Sequence, residues 1–193
     1  MGPAELESSR PLKVRAFFGL PVPELHRAAL APFLAACATS APSFRWTPVS
    51  NAHLTVRFIG SIEREVVDRI ADRIGALGLG GFELALGGLG TFKRGRLVRV
   101  VWLGLRSGTD AASALAAQVE AECAREGLVA EARPFQAHLT LARARHRDGS
   151  ELPPLPEPPL LGPWRATALV LYSSHLSKAG AVYEPIRTLT LTS

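Results

Sequence analysis

His53-Leu54-Thr55-Val56-Arg57-Phe58 and His138-Leu139-Thr140-Leu141-Ala142-Arg143 are near copies in opposite halves of a 193-residue chain. A repeat at that separation duplicates a whole structural unit rather than a local turn. Each copy alternates aliphatic with polar residues, the pattern of a strand with one buried face. Positions i and i+2 of a strand share a face. His53 therefore projects beside Thr55, and His138 beside Thr140, while Leu54, Val56, Leu139 and Leu141 anchor the opposite faces. Arg57, four residues after His53, has the parity to join the histidine's face. Arg143, five after His138, can join only if its strand bends or ends there.

Two imidazoles facing one cleft can supply a base and an acid near neutral pH, since an unperturbed histidine titrates near ~6.5. Two hydroxyls beside them can donate hydrogen bonds to the non-bridging oxygens of a phosphodiester. That set suits attack on phosphorus with protonation of a leaving alkoxide, and it needs no metal. A single His-x-Thr reads as readily as a hydrogen-bonded structural histidine; two matched copies favour the chemistry.

On these residues the chain resembles the 2H phosphoesterases, and among them the bacterial and archaeal RNA 2′,3′-cyclic phosphodiesterases, once called 2′-5′ RNA ligases. The resemblance runs from about Val14 to Thr190. It takes in Arg15 to Leu20, Trp46, His53 to Gly60, Gly87 to Phe92, Val100 to Gly104 and Phe135 to Arg143, then Leu171 to Ser174 with Gly180 and Tyr183. It implies a bilobal fold, with two similar lobes, each an antiparallel sheet with flanking helices, and an active-site cleft between them. It also implies that the 3′ oxygen of the cyclic phosphate leaves, giving a 2′-phosphomonoester, and that Arg143 matches an arginine that helps bind phosphate. Ala137 departs from the pattern, since the family usually has proline there, and this loosens the expected entry of the second strand.

The rest of the chain is consistent with a folded protein of one domain or two tightly joined lobes. Hydrophobic residues make up 47% of it, which argues against disorder. The net charge of +5 suits a polyanionic partner. Arginine supplies most of the positive charge, and its planar fork favours phosphate. Cys37 and Cys123 read as buried helix residues, not a disulfide. No apolar run approaches a membrane span, and Leu6 occupies the position where a myristoylation motif needs Ser or Thr. We expect a flexible leader over 1–10, a single bilobal domain over 11–193, a cytoplasmic location, a monomer, no cofactor and no membrane partner.

In chain order, Val14 to Leu20 reads as a strand. Glu24 to Ala38 reads as a helix with Leu25, Phe33, Leu34 and Cys37 inward, kinked or broken at Pro32. Trp46 ahead of the first motif is either a core filler or a base-stacking platform. Glu63 to Leu77 is an amphipathic helix with Val66, Val67, Ile70, Ile74 and Leu77 on its apolar side. Phe82 to Leu86 reads as a strand followed by a turn in Gly87-Gly88-Leu89-Gly90, which fits no nucleotide-loop motif. Lys93-Arg94-Gly95-Arg96 is a basic turn before the strand Leu97 to Leu105, either a solvated hairpin tip or a rim for RNA. A helix over Thr109 to Glu126, capped by Thr109 or Asp110, ends at Gly127. The Pro-rich stretch from His146 to Pro163 is irregular. Ala166 to Tyr172 and Val182 to Leu191 form a hairpin about Ser177 to Gly180. This order is α+β with antiparallel sheets.

The expected function is metal-independent hydrolysis of RNA 2′,3′-cyclic phosphate ends. His53 and His138 are catalytic, Thr55, Thr140 and Arg143 hold the phosphate, and Arg57, Trp46, Arg94 and Arg96 are candidate RNA contacts. Sequence does not order the two histidines; as a working assignment His53 is the acid and His138 the base. Within enzymes the alternatives are 2′-5′ ligation, the reverse chemistry, and hydrolysis of a small cyclic nucleotide. A non-catalytic RNA-binding module would not need two imidazoles with hydroxyls beside them. A metal site would need three or four ligands, and neither motif holds a carboxylate. His26, His146 and His175 lack a threonine two residues on and read as surface or structural.

Overall fold

The structure, a computed structural model, describes residues 12–177 and 180–192. The leader expected over 1–10 and the tip of the last hairpin turn lie outside them. The strands are β1 (Lys13–Pro21), β2 (Phe44–Trp46), β3 (His53–Glu63), β4 (Phe82–Arg94), β5 (Leu97–Ser107), β6 (Leu139–Ala144), β7 (Trp164–Ala166), β8 (Ala168–Ser177) and β9 (Gly180–Thr190). The helices are α1 (Glu24–Ser40), α2 (Arg64–Ala76) and α3 (Thr109–Arg125).

The strands join edge to edge in the order β7-β4-β5-β6-β3-β1-β8-β9, with β2 added beside β6. Each pair of neighbouring strands is antiparallel. Four strands lie on each side of a central joint between β3 and β6. Strand, helix and strand recur in each half, as β1-α1-β3 and as β5-α3-β6, and the second strand of each unit carries a motif. The duplication read in the sequence is therefore one of architecture, and the fold is α+β with two similar halves.

The joint is narrow. One register pair, Leu54 opposite Leu139, connects β3 to β6. Both leucines are buried, together with Val56, Leu141 and Ala142 on the same side. Helix α3 packs across the joint against β3, and ion pairs tie it to α2. Arg73 reaches Glu122, whose carboxylate is buried, and shares Glu126 with Arg69.

Several expectations need correcting. Helix α1 runs unbroken through Pro32. Pro32 and Ala28, the residue whose carbonyl it leaves without an amide partner, are both exposed, so water can satisfy that carbonyl. Leu25 is 79% exposed, and His26 takes the inward place instead, its Nε2–H donating to the Gly162 carbonyl at 2.8 Å. On α2, Leu77 is exposed and Ala71 buried. Neither Thr109 nor Asp110 caps α3; the cap position is Gly108 in left-handed conformation. The chain does not turn at Gly87 to Gly90. Strand β4 continues to Arg94, and the extra residue is absorbed as a bulge at Gly88, whose φ of +74° suits glycine. The basic turn, the irregular 146–163 connection and the β8–β9 hairpin match the reading.

Candidate active site

His53 opens β3 and His138 immediately precedes β6, so the Leu54–Leu139 pairing carries both imidazoles to the joint. Each is tethered in the same way. The Nδ1–H of His53 donates to the Asn51 carbonyl at 2.7 Å, and that of His138 to the Gln136 carbonyl at 2.7 Å. A carbonyl can only accept, so both neutral rings carry their proton on Nδ1 and present Nε2 as a lone pair. For His53 that lone pair receives the Thr55 hydroxyl at 3.0 Å. Asn51 is fixed in turn, its side-chain amide donating to the Ala181 carbonyl at 2.7 Å.

Aromatic rings frame both histidines. Phe17 lies 4.7 Å and Tyr183 5.1 Å from the His53 ring, with Tyr172 at 5.9 Å. Phe92 meets His138 edge-on at 5.1 Å, and Trp102 lies 6.0 Å away. Burial among these rings disfavours the imidazolium and lowers the His53 pKa to about 4. The tether to Asn51 opposes this, while the positive charge of Arg143 and the other histidine add to it. His138 is lowered for the same leading reason, with Gln136 opposing and Arg143 adding. Arg143 thus acts on both imidazoles.

How Arg143 reaches them resolves the parity problem. Val101 pairs with Ala142 but Trp102 pairs with Thr140, leaving Leu141 as an extra residue in β6. Leu141 and Ala142 are consecutive and both buried, and the shift turns Arg143 onto the face of His138 and Thr140, where it is exposed. The same device in β3 has the opposite consequence for Arg57. Phe18 pairs with Arg57 but Gly19 with Thr55, so Val56 is the extra residue. Arg57 follows Val56 into the interior and Phe58 comes out.

Arg57 is thereby buried and ion-paired, although it still forms part of a cavity wall beside His138. Its guanidinium is buried and pairs with Glu120 on α3 and, at 2.8 Å, with Glu131, while donating to the carbonyls of Phe58 and Val129. Trp46 is turned away from the cleft. It pairs with Ala142 on the buried side, and its Nε1–H donates to the Ala41 carbonyl at 3.1 Å, so it is a core filler. Arg94 sits at the β4–β5 turn held by Asp148 at 2.7 Å, and Arg96 is exposed at that tip. Sequence reasoning passed over Asn51, Gln136 and Arg45. The first two stand two residues before each histidine, which was the available signal. Arg45 could be found only through the register of β2 on β6.

Beside His138 opens a cavity of about 940 Å³, lined by Thr55, Phe58, Phe92, Phe135, Gln136 and His138 among others. Among the described residues no three His, Cys, Asp or Glu side chains gather as a metal site requires, and no helix is long and apolar enough to cross a membrane. The two cysteines are free and buried.

The model of the LigT-like phosphoesterase family matches the chain twice, over residues 20–102 and 103–183. The chain belongs to this family. The two matches divide it between the two motifs, as the duplicated architecture does. An Escherichia coli protein named RNA 2′,3′-cyclic phosphodiesterase is 32% identical over 157 residues, covering 80% of this chain and 85% of that one. A Methanothermobacter thermautotrophicus protein of the same name is 28% identical over 93% of this chain and all of its own length. Among solved structures, E. coli LigT complexed with 3′-AMP superposes with a TM-score of 0.82 at 28% identity, covering 94% of this chain and 100% of that one. In this LigT-like chain the family's twofold plan is visible in the paired histidines and their matching carbonyl tethers.

Proposed function

We propose that this chain hydrolyses the 2′,3′-cyclic phosphate at RNA ends to a 2′-phosphomonoester. The observation that carries the reading is the pairing of Leu54 with Leu139, which sets two identically tethered histidines on one cleft. The relatives named RNA 2′,3′-cyclic phosphodiesterase support the substrate.

The cyclic phosphate lies between the strands, with Thr55, Thr140 and Arg143 holding its non-bridging oxygens. One imidazole Nε2 takes a proton from water as the water oxygen bonds to phosphorus. The bond to the 3′ oxygen breaks in line, and the other imidazole gives that oxygen a proton. The stronger depression of His53 fits it as the base, with His138 as the acid, the reverse of the working assignment. A bound phosphate anion favours the imidazolium nearby, so His138 takes up from solvent the proton that it then gives to the leaving oxygen. The protein works without a metal, as a cytoplasmic monomer.

The test is a short RNA with a 2′,3′-cyclic phosphate end, incubated with the protein in EDTA and followed by phosphorus NMR. The 2′-phosphate should accumulate. A 3′-phosphate product, or turnover abolished by EDTA, would contradict the proposal.

A further inference from the structure

We infer that Arg45, opposed to the Arg143 that holds the reacting phosphate, binds the phosphodiester next upstream, making this an enzyme for chain ends in preference to free cyclic mononucleotides. The inference rests on the reading above and deepens it. In the antiparallel pairing of β2 with β6, Arg45 stands directly opposite Arg143. Directly opposed residues project from the same face with Cβ atoms roughly 4.5–5.5 Å apart. The flanking pairs fix which face this is. Phe44 opposite Ala144 and Trp46 opposite Ala142 turn inward, with Phe44 and Ala142 fully buried, so the two arginines turn out into the cleft.

Like charges directly opposite one another in a sheet are destabilising. Among the described residues some arginines meet carboxylates, as Arg64, Arg73 and Arg94 do, and others such as Arg15 and Arg99 do not; what sets Arg45 and Arg143 apart is that they oppose each other. Among the described residues no carboxylate lies within ion-pair distance of Arg45 or Arg143. The repulsion is offset when each guanidinium fork holds its own phosphate, the reacting one on Arg143 and the next in the chain on Arg45, since such forks suit phosphate oxygens bidentately.

The twofold plan makes the pair directional. On one side of the histidines, beyond Thr55, lies the cavity with Phe58, Phe92 and Phe135. On the other, beyond Thr140, lie Arg143 and Arg45. The residue five places after the first histidine is Phe58, and five after the second is Arg143, so the two equivalent positions present an apolar ring and a charge. A terminal nucleoside is suited to the first side and the continuing phosphodiester chain to the second. A free cyclic mononucleotide has nothing to place on Arg45.

The experiment compares adenosine 2′,3′-cyclic phosphate with an adenosine dinucleotide ending in the same cyclic phosphate, using wild type and Arg45→Gln. Loss of one charge-assisted contact predicts that kcat/KM for the dinucleotide falls about tenfold more than for the mononucleotide. Its dependence on salt should also flatten by roughly 0.7 in log–log slope. Equal losses on both substrates, or no loss on either, would overturn the inference while leaving the hydrolysis itself standing. Failure of wild type to hydrolyse either substrate would overturn the functional reading and this inference with it.

Discussion

Leu54 and Leu139 face each other across the joint between the two halves, and each follows a histidine by one residue. The pair is buried, and through it the positions of two imidazoles from distant parts of the chain become one geometric fact. Truncation at this point should therefore cost both stability and rate. Leu139→Ala should lose about 2–5 kcal/mol, a fall in Tm of roughly 2–4 °C per kcal/mol for a chain this size. Chemical denaturation and turnover by the folded fraction would be measured together. A variant that lost stability but kept full activity when folded would show that the joint does not set the imidazoles.

Arg57 links three segments: β3 through its own backbone, α3 through Glu120, and the 128–136 segment through Val129 and Glu131. That last segment ends at Gln136, the tether of His138. Arg57→Met leaves two carboxylates without their partner. Glu120 and Glu131 are 28% and 53% exposed, so water can reach them and the cost should lie toward the lower end of the roughly 3–5 kcal/mol for breaking a buried pair. We expect kcat to fall with little change in KM, and Glu131→Gln to show a milder version. Weaker RNA binding at unchanged stability would return Arg57 to the role its sequence position suggested.

The His53 pKa of about 4 in the folded protein, against 6.5 as its ordinary value, has a defined consequence for stability. Between those values the unfolded chain binds more protons at this position than the folded one, so stability rises with pH across that window. The contribution is complete above about 6.5 and is lost as pH falls toward 4. His53→Gln should flatten the slope of unfolding free energy over this range. An unchanged slope, or an NMR titration of His53 near its ordinary value, would contradict the burial argument.

Gly90 lies beneath the Trp102 indole. A Cβ there would stand 2.1 Å from the ring, within a strand pair that places Gly90 opposite Trp102. Gly90→Ala should displace the indole, cost roughly 1–3 kcal/mol by overpacking, and disturb Phe92, which packs on both Trp102 and His138. Thermal denaturation and kcat should both register the change. A variant as stable and active as its parent would mean that the indole moves aside without cost.

The sequence was informative wherever a strand kept its period. The side-by-side placement of His53 with Thr55 followed from parity alone. It failed where one residue was added to a strand. Val56 and Leu141 look like ordinary alternating positions, yet as bulges they exchange the fates expected for Arg57 and Arg143. Gly88 in β4 absorbs a bulge where a turn was read. Arg45 was illegible for a different reason, since its partner is set by a pairing between segments far apart in the chain. Whether Pro32 breaks its helix was illegible because the cost depends on whether the freed carbonyl is wet, and that is a property of the packed helix.

The central claim is that both imidazoles act on one phosphate, and the most direct test is single-turnover hydrolysis of an RNA bearing a 2′,3′-cyclic phosphate by wild type, His53→Ala and His138→Ala. Positioned acid and base groups are each worth about 10²–10⁴-fold. Both variants should lose at least a hundredfold while remaining folded, and the double variant should lose little more than the worse of the two, since the pair works as a unit. Near-wild-type turnover in either single variant would contradict the account.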